Sequence, residues 1–141
     1  MKKIALILML VISSPIMSDT VPITSSEFAV SSISRFELRR LYFMKDKWAD
    51  GVGIVTLYQR PPHSSEHIRF IRETLELTPA TYYRELALSV NAGKGSTITI
   101  VNSDEEMLDK ATAKDNAIGY LDVDTIIFTL DKTTKLLKVT D

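Results

Sequence analysis

The sequence contains no cysteine, which excludes a disulfide framework, thiolate metal centres, a cysteine nucleophile and a lipid-modified bacterial N-terminus. It lacks a long hydrophobic run: Ile4 to Ile12, the longest, spans 9 residues, about half the roughly 20 that a bilayer-spanning helix needs. It also lacks an excess of either charge. With 17 Lys and Arg against 18 Asp and Glu, the formal charge is -1. No global basic field therefore concentrates nucleic acid or holds an acidic membrane surface, and any anion must be met by a local site. Glycine and proline number 5 each, and neither repeats nor low-complexity segments are present, which excludes fibrous and disordered chains. What remains is 141 residues, 45% hydrophobic, 25% charged and 8% aromatic, the length and composition of one globular α/β-type domain.

The first eighteen residues read as a targeting segment. Lys2 and Lys3 form a positive start, the apolar run follows, and Ser13, Ser14 and Pro15 break it ahead of the small residue Ser18. This is signal-peptide architecture. The expectation is export to a bacterial periplasm with cleavage after Ser18 and no membrane insertion afterwards. A flexible polar lead-in over residues 19–26 and a single domain over residues 27–141 would follow.

Along that domain, Glu27 to Ser31 reads as a short strand with Phe28 and Val30 on one face. Ser34 and Glu37 have capping-box spacing and open a helix to about Phe43, with Leu38, Leu41 and Tyr42 as its buried stripe and Arg35, Arg39 and Arg40 on a solvated face. Trp48 leads into an Asp50-Gly51 turn and a strand over Ile54 to Tyr58, and Gln59 to His63, with two prolines, must be loop. Trp48 and Tyr120 are expected at the edges of the core, where a turn or helix meets a strand. Ser64 to Leu77 turns helical, with Ile68, Ile71 and Leu75 inward and the pairs Arg69/Glu73 and Arg72/Glu76 outward. Thr78 and Pro79 cap a third helix whose core side carries Tyr82, Tyr83, Leu86 and Val90. Asn91 to Gly95 is loop, Thr97 to Val101 a strand, and Ser103 with Glu106 caps a fourth helix. Asn116 to Tyr120 enters another strand, and Ile126–Leu130 with Leu136–Val139 reads as a terminal hairpin. Alternating strands and helices predict a layered α/β domain with a mixed sheet flanked by helices.

Two chemistries compete for the segment His63-Ser64-Ser65-Glu66-His67. It matches the His-x-x-Glu-His spacing in which two histidines bind zinc and the glutamate activates water. Both histidines of the chain are then spent, and Glu73, about 240° round the helix from His67, faces away from a third ligand position. No metal, cofactor or catalytic role is predicted. The alternative is anion recognition: a strand, a tight loop and a helix opening at Ser64 and Ser65 aim unpaired backbone N–H groups at one spot, and Arg60 at the strand end can fork onto an oxyanion. Gly93-Lys94-Gly95-Ser96 lacks phosphate-loop spacing and reads as a turn.

The order of features is more specific than any one motif. Leu38-Arg39-Arg40-Leu41-Tyr42-Phe43, Trp48-Ala49-Asp50-Gly51, Ile54-Val55, an Arg60-x-x-x-Ser64 loop before a helix with Phe70, and Asn116-Ala117-Ile118-Gly119-Tyr120 together resemble the phosphate-binding-protein-like family of periplasmic solute-binding proteins, type 2. The resemblance runs from about Phe28 to Leu121. It implies one lobe of a fold whose full-length members close two lobes on phosphate, as in short members known as phosphate ABC transporter substrate-binding proteins. Aligning Arg60 and Phe70 with the family's phosphate loop places Ser64 on its phosphate-contacting serine, Ser65 on a glycine and Glu66 on a threonine. The resemblance thus implies a ligand site at Arg60, Ser64, Ser65 and Glu66 for phosphate or another small oxyanion, and a membrane transporter or sensor as partner. Helix spacing and the helix dipole, by contrast, favour Glu66 swung outward to pair with Arg69. The competing reading is a periplasmic interaction or sensory accessory that keeps the lobe without the ligand.

Overall fold

The computed structural model describes residues 20–92, 98–129 and 132–141. The signal-peptide segment, the Gly93–Ser96 turn and the junction at residues 130 and 131 lie outside them. Nine strands and five α-helices are described: β1 Thr20–Ser25, β2 Ser32–Ser34, α1 Arg35–Tyr42, β3 Trp48–Ala49, β4 Gly53–Ile54, β5 Thr56–Gln59, α2 Ser65–Arg69, α3 Pro79–Asn91, β6 Ile98–Ile100, α4 Asp104–Thr112, β7 Ala117–Asp122, α5 Val123–Thr129, β8 Thr134–Leu136 and β9 Lys138–Thr140. A π-helical turn, Phe70–Thr74, continues α2.

The main sheet has the order β6-β5-β7-β1-β8. β6, β5 and β7 run parallel, while β1 is antiparallel to both β7 and β8. The predicted layered α/β domain with a mixed sheet is therefore observed. Helices cover both faces, and two consecutive residues of β7 make this visible. A Cβ on Gly119 would meet Met107 Sδ at 2.7 Å and Ala111 Cβ at 3.0 Å, on α4, whereas Tyr120 stacks on Phe70 across the opposite face, as strand alternation requires. Gly119→Val is accordingly expected to cost about 1 to 3 kcal/mol by overpacking the α4 face. An unchanged urea midpoint would remove Gly119 from this contact.

Local cap chemistry reads as expected. Ser34, Ser64, Thr78 and Ser103 each accept the backbone N–H three residues on. The capping boxes are only half formed at α1, because Glu37 turns its carboxylate to the Asp50 N–H. Leu38, Leu41 and Tyr42 are buried as the stripe predicts, and the Asp50-Gly51 turn forms with Gly51 at φ +77°.

Several expectations are corrected. The stretch expected as a lead-in is not loose: Thr20–Ser25 is β1, paired on both sides within the sheet and mostly buried. Glu27–Ser31 forms no strand, and the pairing segment is Ser32–Ser34, beside β9. Trp48 is 61% exposed on the two-stranded β3–β4 hairpin, opposite Ile54, while Tyr120 lies in the core interior rather than at its edge. Val90 is exposed and Ser89 buried instead. The predicted terminal hairpin is replaced by α5, then β8 and β9, which separate at Leu137 and join different sheets.

The arginines of α1 are not a solvated face. Arg35 Nε donates to the Thr74 carbonyl at 3.1 Å, and Arg39 donates to the carbonyls of Leu75 at 2.6 Å and Glu76 at 3.2 Å. They satisfy the orphan acceptors at the end of the π-helical turn, where Glu76 has φ +54°. Arg40 pairs with Asp46 at 2.7 Å. The extra residue in the π turn also shifts the helical phase, so Thr74 faces inward and donates to the Thr20 carbonyl at 2.8 Å.

Candidate functional site at the carboxyl ends of the parallel strands

In open α/β sheets, ligands gather beyond the carboxyl ends of the strands. Here β5 ends at Gln59 and delivers Arg60, β6 is followed by Val101 and Asn102, and β7 ends at Asp122. All three exits lie on the same side of the sheet because these strands are parallel. Pro61 and Pro62 then carry the chain over to Ser64, the N-cap of α2.

Arg60 is the best-fastened residue of this edge. Its backbone N–H donates to Tyr120 Oη at 2.8 Å, and Nη1 donates to Asp104 Oδ1 at 2.8 Å. Nη2 reaches the Asn102 carbonyl at 3.3 Å and stands 3.7 Å from Glu66 Oε1. Its side chain is 13% exposed.

The helix opening supplies the other predicted residues. Ser65 Oγ lies 3.3 Å from Glu66 Oε2. The Glu66 carboxyl sits below its ordinary range, first through a hydrogen bond with its own backbone N–H and also through the nearby Arg60, the Ser65 hydroxyl and Arg69, against a smaller opposing effect of burial. Ser64 is placed differently: its hydroxyl donates to the Pro61 carbonyl at 2.7 Å and accepts from the His67 N–H at 3.3 Å. Arg60, Ser65 and Glu66 thus form one neighbourhood, while the Ser64 hydroxyl is turned back onto its own loop. Glu66 does not pair with Arg69, which binds Asp122 at 2.7 Å.

Three residues of this edge were not singled out as site residues by sequence reasoning: Asn102, Asp104 and Tyr120. Asp104 directly follows the Ser103 cap, so its position was legible, but its partner is 44 residues away. His67, weighed only as a zinc ligand, is fully buried. Its Nδ1 lies 2.6 Å from Tyr120 Oη. Tyr120 Oη, which also accepts the Arg60 N–H, thus joins the imidazole to the strand exit, while His67 Nε2 is buried without a hydrogen-bond partner. Burial first, and then the charge of nearby His63, pulls the imidazole pKa down to about 4. His63 is exposed and near the Tyr83 ring, 5.5 Å between centroids. Among the described residues no group of three or more His, Asp or Glu could hold an ion. What the edge can do chemically is present guanidinium and N–H donors beside two carboxylates.

No family profile and no curated protein sequence matches the chain. Solved structures do. An ABC-type phosphate transport receptor from Vibrio cholerae matches with a TM-score of 0.60 at 13% identity, over 86% of this chain and 46% of the receptor. A candidate phosphate ABC transporter substrate-binding protein from Clostridium perfringens, solved with bound phosphate, matches at 0.57 and 17% identity, over 86% of this chain and 44% of that one. A candidate phosphate-binding protein from Planctomyces limnophilus matches at 0.57 and 12% identity, over 87% and 42%. The chain spans less than half the length of these proteins. Its fold is similar to one lobe of a periplasmic phosphate-binding protein.

Proposed function

We propose that this protein is a non-catalytic, periplasmic solute-binding-like module that takes phosphate or another small oxyanion at the carboxyl end of β5, for transport or sensing with a membrane partner. A leader over residues 1–18, cleaved after Ser18, would deliver it there. The observation that carries the reading is the guanidinium of Arg60, held where β5 gives way to α2, in a fold similar to that of phosphate receptors. Arg60, the Ser65 hydroxyl and the N–H groups of Ser65 and Glu66 are the proposed contacts, with the Ser64 hydroxyl joining by rotating away from Pro61. A single lobe cannot enclose an ion, so a second wall would come from the partner or a second subunit. Among the described residues no helix is long and apolar enough to cross a membrane.

The test is calorimetric titration with inorganic phosphate. Arg60→Gln should weaken binding at least about tenfold, because a charge-assisted fork contributes about 1.5 to 3 kcal/mol. Glu66→Thr should strengthen it by removing a carboxylate from the anion's approach. If wild type and Glu66→Thr, both folded, give no heat with millimolar phosphate, the module is better regarded as an interaction scaffold.

A further inference from the structure

Arg60 already has an anion. Asp104 Oδ1 accepts from Nη1 at 2.8 Å, in the direction an incoming oxyanion would need, since carboxylate and phosphate present similar oxygens to a guanidinium. The two partners differ in freedom. The Arg60 side chain is 13% exposed and its backbone is fixed to Tyr120, whereas the Asp104 side chain is 44% exposed. Asp104 can therefore turn into water and be solvated there, whereas the Arg60 guanidinium stays largely buried and needs an incoming anion to replace the carboxylate. Thr125 Oγ1, on α5, donates to Asp104 Oδ2 at 3.4 Å, which gives the carboxylate a second hold on the far side. Meanwhile Arg60 Nε is buried with no hydrogen-bond partner, so the guanidinium retains unused donor capacity.

We infer that Asp104 is a tethered competitor for the oxyanion at Arg60: it occupies the guanidinium when the site is empty and swings aside before an anion can fork onto it. The inference rests on the anion-site reading and names a regulator of that same site. Its consequence is an apparent affinity lowered by the fraction of time Asp104 holds the fork, with ligand release assisted by the returning carboxylate.

The experiment is titration with inorganic phosphate at physiological ionic strength for wild type, Asp104→Asn, Glu105→Gln and Arg60→Gln, with circular dichroism confirming each fold. Asparagine keeps an oxygen for Arg60 and Thr125 while removing the charge. Asp104→Asn should bind about tenfold to a hundredfold more tightly, the factor set by one charge-assisted hydrogen bond. Glu105→Gln removes the same charge from the next, exposed residue and should change affinity by less than about twofold, because exposed charges are screened. Equal gains in the two variants, or no gain in Asp104→Asn while wild type binds and Arg60→Gln does not, would overturn the competitor and leave the anion site standing. No binding in any variant would remove both.

Discussion

Acidification from pH 7 to pH 4 is expected to cost the fold about 3 kcal/mol through one side chain, His67. Its imidazole is fully buried, Nδ1 is hydrogen-bonded with Tyr120 Oη, and burial has brought its pKa from 6.5 to about 4. The unfolded chain takes up a proton near pH 6.5 that the native protein refuses until about pH 4, so stability is complete above that window and lost progressively as pH falls through it. Below the window both states are protonated and the loss is complete. The measurement is urea unfolding at pH 7, 6, 5 and 4, for wild type and His67→Asn, whose amide can still hydrogen-bond with Tyr120 either as donor or as acceptor. The variant should be less stable at neutral pH but have a shallower slope between pH 6.5 and 4. Parallel slopes would assign the acid sensitivity to other groups.

Phe70→Ala should be at least as damaging, at about 3 to 5 kcal/mol, the usual range for removing a buried aromatic ring. Phe70 stacks on Tyr120 with ring centroids 3.9 Å apart and planes 8° from parallel, and meets the edge of Tyr42 at 4.8 Å. Tyr42 and Tyr120 against it have their hydroxyls committed, Tyr42 donating to the Tyr58 carbonyl and Tyr120 accepting the Arg60 N–H, so they cannot collapse into the void without breaking hydrogen bonds. Phe70→Leu should recover much of the loss by refilling volume. A loss below about 1 kcal/mol for the alanine variant in urea titration would mean that the stack contributes little beyond shape.

How much of this was legible in the sequence depended on the range of the interactions. Ser34, Ser64, Thr78 and Ser103 were readable as caps because a cap bonds three residues away. The Tyr42 stripe was readable because helical burial follows local period. β1 was not: its residues include Pro22 and three hydroxyl side chains, a composition that suggests loop, and its strand identity comes from partners near residues 120 and 135. Arg35 and Arg39 looked like surface cations because the carbonyls they satisfy lie 36 to 39 residues on. Arg60 was legible from its place between strand and prolines. That its fork is filled by Asp104 was not, since no spacing rule links the exit of one strand to the helix after the next. The burial of His67 was not legible for a similar reason: its motif partners are neighbours in sequence, whereas Tyr120 is brought to it by the sheet.

The position of β1 also bears on how the chain acquires its structure. Both of its neighbours, β7 and β8, come from residues about a hundred positions later: Ile23 faces Gly119 on one side and Leu136 on the other. A strand that emerges early and is completed last forces closure of a very long loop, the kind of non-local pairing that slows folding. During synthesis β1 has no edge to join until β7 has followed, whereas β5, β6 and β7 can pair with one another without it. The parallel part of the sheet can therefore form first, with β1 added to its edge and β8 added to β1.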